Sequence, residues 1–128
     1  MKKIYRIYVA GAMTPTGNGN HVTEYLNNIR RGIRASSHLI IQGFAVFSPF
    51  IDFSYWLTLY PGEAITEDMI KAHSMAWLEV SHAVLVLPKW ENSIGTIREI
   101  KRAEELVMPV FYDTVKLLAW RSIQEVRR

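Results

Sequence analysis

The stretch LPKWENSIGTIREI, residues 87–100, holds a carboxylate well placed for chemistry. An apolar run ends at Pro88, a short polar loop follows, and Glu99 falls one to two turns into a helical pattern. A carboxylate just past the end of a buried strand can face the crevice in which α/β folds bind ligands. A plainer role competes. Thr96-Ile97-Arg98-Glu99 has the spacing of a capping box, in which Glu99 would reach back to the backbone N–H of Thr96. Spacing alone favours the cap. Tyr8, in an apolar strand pattern, reads first as a buried strand tyrosine. His21, His38, His73 and His82 lack HxxxH or HExxH spacing, so no metal site is expected. With no cysteine, thiolate catalysis, disulfides and cysteine-bound zinc are excluded. Gly11, Gly17 and Gly19 fit neither GxGxxG nor a P-loop, which leaves a flexible turn or an anion-binding loop.

The elements that must position these residues follow from periodicity. Residues 4–10 alternate and read as a strand, and 11–20 are a loop by composition. Val22, Leu26, Ile29, Ile33 and Ile40 mark an amphipathic helix over 21–41, broken by Gly43. Residues 44–47 read as a second strand stopped by Pro49. Residues 50–63 are aromatic and irregular, suiting an active-site loop or a short helical turn. A helix begins at Thr66, Glu67 and Asp68, with Ile65, Met69, Ala72 or His73, Ala76 and Val80 on its apolar face. Ala83 to Leu87 is a continuous run expected of a strand buried on both faces. A helix over 94–107, a strand over 110–112 and a helix over 114–127 complete the chain. On the last helix Val115, Leu118, Ser122 and Val126 share one side. The alternation predicts an α/β three-layer sandwich with a parallel sheet, flavodoxin-like or Rossmann-like, as one domain over 1–128. Ligands in such folds sit at the carboxyl ends of the strands, here the loops 11–20, 48–63 and 88–93.

At 128 residues with 49% hydrophobic residues, the chain can bury one sizeable core. No apolar run approaches the roughly 18 residues of a membrane span, and Arg6 interrupts the apolar N-terminal stretch, so no membrane partner is expected. Absence of cysteine suits a reducing compartment, and a cytoplasmic location is expected. Net charge is +3, which suits anionic partners, but much of it lies at the tips, in Lys2, Lys3, Arg127 and Arg128. Nucleic acid is therefore not the expected partner.

Three segments in order resemble the nucleoside 2-deoxyribosyltransferase superfamily: IYVAGAM at 7–13, GFAVFSP at 43–49, and WLEVSHAVLVLPKWENSIGTIREIKRAEELVMPV at 77–110. The likeness is greatest to small deoxyribosyltransferase-like proteins of phage and bacteria, including nucleoside 5′-monophosphate N-glycosidase-like ones. The resemblance implies that Glu99 is the nucleophile at C1′ and that Tyr8 hydrogen-bonds and orients it. It implies no metal or cofactor, a small-molecule nucleotide or nucleoside as substrate, and a homo-oligomer, with Trp120 and the last helix as candidate contacts. Ser93 stands where members acting on free nucleosides carry aspartate and members hydrolysing monophosphates carry serine. With Gly95 it would receive a phosphate, which favours hydrolysis of a (deoxy)nucleoside 5′-monophosphate over base transfer. Gly11 and Met13 fall in the loop after the first strand, and Phe50, Tyr55 and Trp56 offer surfaces to a base or to the core.

The sequence departs from the family at the acid. Ser74 takes the place of the family's aspartate near the start of the helix before the buried strand, with His73 beside it, and His82 replaces a second aspartate. His73 could protonate a departing base, and Asp68 could do so in another helix register. The alternatives are base exchange between deoxynucleosides and a non-catalytic nucleotide-binding protein.

Overall fold

The computed structural model describes residues 2–15 and 20–127. Gly17 and Gly19 of the glycine loop and the terminal Arg128 lie outside the described residues. The order is β1 (Arg6–Ala10), α1 (His21–Ile41), β2 (Ala45–Phe47), a 3₁₀ helix (Pro49–Thr58), α2 (Glu67–Glu79), β3 (Ala83–Val86), α3 (Ile94–Glu105), β4 (Val110–Phe111) and α4 (Thr114–Arg127). Four parallel strands form one sheet in the order β2-β1-β3-β4. The chain steps outward from β1 to β2, then crosses back to β3 and on to β4. The switch point thus lies between β1 and β3, where the following loops diverge and leave a crevice.

The pleat sorts the core into two halves. Ile7, Val9, Ala83 and Leu85 point to one face, against Ile29 and Leu39 of α1 and Leu117 of α4. Tyr8, Ala10, Val84 and Val86 point to the other, against Leu78 of α2 and Ile100 and Ala103 of α3. Right-handed crossovers running in opposite directions from the switch point put α1 and α3 on opposite faces, as observed. Each fully buried aliphatic side chain contributes roughly 1.5–3 kcal/mol of transfer free energy. The same alternation aims Tyr8 at α3.

Three helices bury only part of the face that their apolar spacing predicts; Ile29 and Ile33 of α1 and Leu118 of α4 do pack on the core. In α1, Val22, Leu26 and Ile40 are exposed, and the buried positions are Asn28, Ile29, Gly32, Ser36 and Leu39. The seam is small and polar because it lies close to its neighbours. Phe50 sits over Gly32, Ser36 Oγ lies 2.8 Å from both the Gly32 carbonyl and Ser48 Oγ, and Asn28 Nδ2 donates to the Met13 carbonyl at 3.1 Å. In α2, Met69, Ala72, Ala76 and Val80 face outward, and Leu78 is the buried residue, with Ile70, Ser74 and Met75 partly covered. In α4, Val115 and Val126 are exposed, and Leu117 is buried. Trp120, expected at a subunit contact, is half-buried here against Tyr5 and Phe111, at 5.2 and 5.8 Å between ring centroids. No helix among the described residues is long and apolar enough to cross a membrane.

Candidate active site

A cleft of about 760 Å³ opens at the carboxyl ends of β1 and β3. That is ample for a nucleotide-sized ligand. Its walls come from all three predicted loops and the helices that follow them. Gly11 and Met13 come from the loop after β1, and Phe50, Asp52, Phe53 and Trp56 from the 3₁₀ helix after β2. Ser93, Gly95, Arg98 and Glu99 come from the start of α3, and Lys71 and Ser74 from α2. Tyr8 forms part of the floor.

The structure removes the capping reading of Glu99. The N-cap of α3 is Ser93, whose Oγ accepts from the Thr96 backbone N–H at 3.3 Å, so the helix begins three residues before the proposed box. Glu99 therefore caps nothing. Its Oε2 instead accepts a hydrogen bond from the Tyr8 hydroxyl, across 91 residues of chain. Tyr8 is fully buried between Phe47 of β2 and Val84 of β3, with its ring stacked on Phe47 at 5.4 Å. A phenol fixed in this way is a rigid donor.

Burial governs the electrostatics. Loss of water pushes the Glu99 carboxyl up to about 7, with the Asp52 carboxylate adding to the rise. The Tyr8 hydrogen bond and the Arg98 charge hold it back. Burial and the Glu99 charge drive the Tyr8 phenol far above its usual value, so it remains a donor. Asp52 is raised as well, chiefly by burial, against the opposing pull of His73 and the Ser74 hydroxyl. Two carboxyls with raised pKa values facing one cleft are a recurrent sign of acid–base chemistry.

The raised Glu99 value sets a stability expectation. The folded state holds this proton up to about pH 7, whereas the unfolded chain releases it near 4.5. Stability therefore falls as pH rises across that window, and the cost is fully present above it. It amounts to about 3 kcal/mol at roughly 1.4 kcal/mol per tenfold. Glu99→Gln keeps an acceptor for Tyr8 and removes the charge. The variant should melt above wild type at about pH 8, with the gap nearly closed at about pH 5. Thermal melts across this range check it, and a gap independent of pH contradicts the assignment.

The sequence-predicted residues Tyr8, Gly11, Met13, Phe50, Ser74, Ser93, Gly95, Trp56 and Glu99 all line the cleft. His73 does not. One residue round the helix from Ser74, it packs between Phe47 and Tyr55, at 5.8 and 5.9 Å between ring centroids. Its buried Nε2 has no hydrogen-bond partner among the described residues. Asp68 is exposed and also lies off the cleft. His82 accepts the Arg6 backbone N–H at Nδ1, 2.7 Å away, at the amino-terminal ends of the two central strands and away from the cleft. Phe50 is 1% exposed and mainly a core residue, though its edge reaches the cleft.

Sequence reasoning missed Asp52, Lys71 and Arg98. Asp52 is 7% exposed, and its Oδ2 accepts from Ser74 Oγ at 3.4 Å. A signal existed: Asp52 is the only aspartate in the loop 48–63 that follows β2.

Compared with known families, the chain matches the one described as Domain of unknown function (DUF4406) over residues 5–112. It belongs to that family. The DUF4406 match runs from the buried Tyr5 to just past β4, and so takes in every strand and all of the cleft-lining residues. No curated protein matches the DUF4406 chain.

Proposed function

We propose that the protein hydrolyses the N-glycosidic bond of a (deoxy)nucleoside 5′-monophosphate, with Glu99 as nucleophile. The observation that carries this reading is the Glu99 carboxylate itself. It is largely buried in a nucleotide-sized cleft at the switch point, oriented by Tyr8 and free of any capping role. Resemblance to the nucleoside 2-deoxyribosyltransferase superfamily supports the same assignment.

In the first step a Glu99 oxygen forms a bond to C1′ as the C1′–N bond breaks. The base departs with the bonding pair and takes up a proton. The sugar is left as a glycosyl ester on Glu99. Tyr8 donates to the other face of the carboxylate charge and holds the attack geometry. In the second step water adds to C1′, the ester oxygen leaves as the restored carboxylate, and the water proton passes to solvent or a nearby base. The sugar 5′-phosphate is released.

The phosphate has a suitable receiver. Helix geometry leaves the amides of Ile94 and Gly95 without partners in the helix, Thr96 N–H being taken by Ser93 Oγ, and Gly95 has open space where a Cβ would stand. Arg98 brings positive charge to the cleft wall, while Lys71 is paired there with Glu67 at 2.9 Å. Ser93 is neutral where a carboxylate would repel a dianion. Base exchange on free nucleosides is the weaker reading for that reason. An oligomer goes with the proposal, for Ile51, Leu57 and Tyr60 leave apolar surface exposed on and after the 3₁₀ helix.

The test is incubation with a panel of ribo- and deoxyribonucleoside monophosphates and nucleosides, with free base followed by chromatography. Base release from monophosphates supports the proposal, and none from any substrate refutes it. Ser93→Asp sharpens the test because aspartate caps a helix as well as serine. The variant should lose about 10- to 100-fold in kcat/KM on monophosphates and little on nucleosides. Equal losses on both would remove Ser93 from phosphate recognition.

A further inference from the structure

We infer that Asp52 is the general acid that protonates the departing base, with Ser74 as its positioning residue; the inference rests on the glycosidase reading above. Glycoside cleavage through a carboxylate nucleophile needs a second group to deliver a proton to the leaving atom, commonly a second carboxyl. Asp52 is the other buried carboxyl on the cleft. Serine at 74 has no acidic proton to give, and His73 is turned away into the Phe47 and Tyr55 rings. The Ser74 hydroxyl meets Asp52 Oδ2 at 3.4 Å, so the α2 position that lacks a carboxyl now holds one supplied by the 3₁₀ helix.

Placement favours the base as the proton acceptor. Asp52 shares its helix with Phe53 and Trp56, whose rings also line the cleft. A base resting on those rings would lie beside Asp52, with its sugar toward Glu99. The proton balance closes. Asp52 gives its proton to the base nitrogen as the C1′–N pair moves there, and the resulting carboxylate can accept a proton from the water that resolves the ester.

The test compares leaving groups. An N7-methylated purine nucleotide carries a positive base that departs neutral without protonation, whereas the unmethylated nucleotide needs the acid. Asp52→Asn should lower kcat/KM on the unmethylated substrate by about 100-fold or more, and on the methylated one by only a few-fold. Ser74→Ala, the milder variant, should show the same asymmetry at smaller size. It keeps the question open to refutation if Asp52→Asn folds poorly. Equal losses on both substrates, or no loss on either, in an enzyme whose wild type is active, overturn the role of Asp52 alone. A wild type inactive on both substrates overturns the glycosidase reading and this inference with it.

Discussion

Glu99→Ala and Glu99→Gln should each reduce base release by about three orders of magnitude or more, while leaving nucleotide binding in place. Removal of a nucleophile costs far more than loss of a binding contact, because no neighbour can form the same bond. Glutamine is the sharper variant. It fills the same space and still accepts the Tyr8 hydrogen bond, so it isolates the charge from the shape. Wild-type kcat/KM should rise with pH through about 7, as burial delays ionisation of the attacking carboxylate. Steady-state assays of base release, paired with nucleotide-induced shifts in melting temperature, check both parts. A glutamine variant that retains a tenth or more of wild-type activity would show that Glu99 is not the nucleophile.

Gly32→Ala should destabilise the fold by about 2–4 kcal/mol, against the usual sign for this exchange. In an ordinary helix interior alanine is favoured over glycine by about 1 kcal/mol. Here the new Cβ would stand 2.0–2.3 Å from Cγ, Cδ1 and Cδ2 of Phe50, which no rotamer change of a methyl group can relieve. The ring has little room to retreat. It is 1% exposed and packed within the core cluster on the α1 side of the sheet. A loss of that size lowers the melting temperature by roughly 10 °C for a chain of this length. Phe50→Leu in the same background should recover part of it, so the two changes should be non-additive. Thermal and urea unfolding of the two single variants and the double variant decide the matter. A neutral or stabilising Gly32→Ala would mean that the ring is not wedged there.

The contact at Gly32 also explains what the sequence could and could not convey. Strands and helices fall where periodicity puts them, because a parallel sheet buried on both faces demands runs such as Ala83–Val86. Helix faces were less legible. The buried seam of α1 is made of Asn28, Gly32 and Ser36 as much as of Ile29 and Leu39, since Phe50 and Ser48 approach too closely for large side chains. An apolar count follows Val22, Leu26 and Ile40 instead, and these are exposed. On α2, adjacency to Ser74 suggests His73 as an acid, but the two neighbours face different ways: Ser74 lines the cleft and His73 packs on Phe47 and Tyr55.

The site was legible to the extent that it rested on strand ends. Tyr8 stands in the middle of β1 and Glu99 within α3, and strand alternation turns Tyr8 to the face on which α3 packs, where the two meet. Asp52 was not legible by pattern. It sits in a 3₁₀ helix, whose threefold repeat matches neither a strand nor an α-helix, within an aromatic stretch of weak amphipathicity. A search for the carboxyl absent at position 74 leads to it, since it is the only aspartate in the loop 48–63.

The central claim is that Glu99 becomes glycosylated. The most direct measurement is rapid acid quench of enzyme mixed with an active nucleoside monophosphate, followed by peptide mass mapping. The account predicts a transient mass increase equal to the sugar phosphate on the peptide carrying Glu99, appearing with the burst of free base and vanishing as the sugar phosphate is released. Base release with no adduct at any time, or an adduct on another residue, would contradict it.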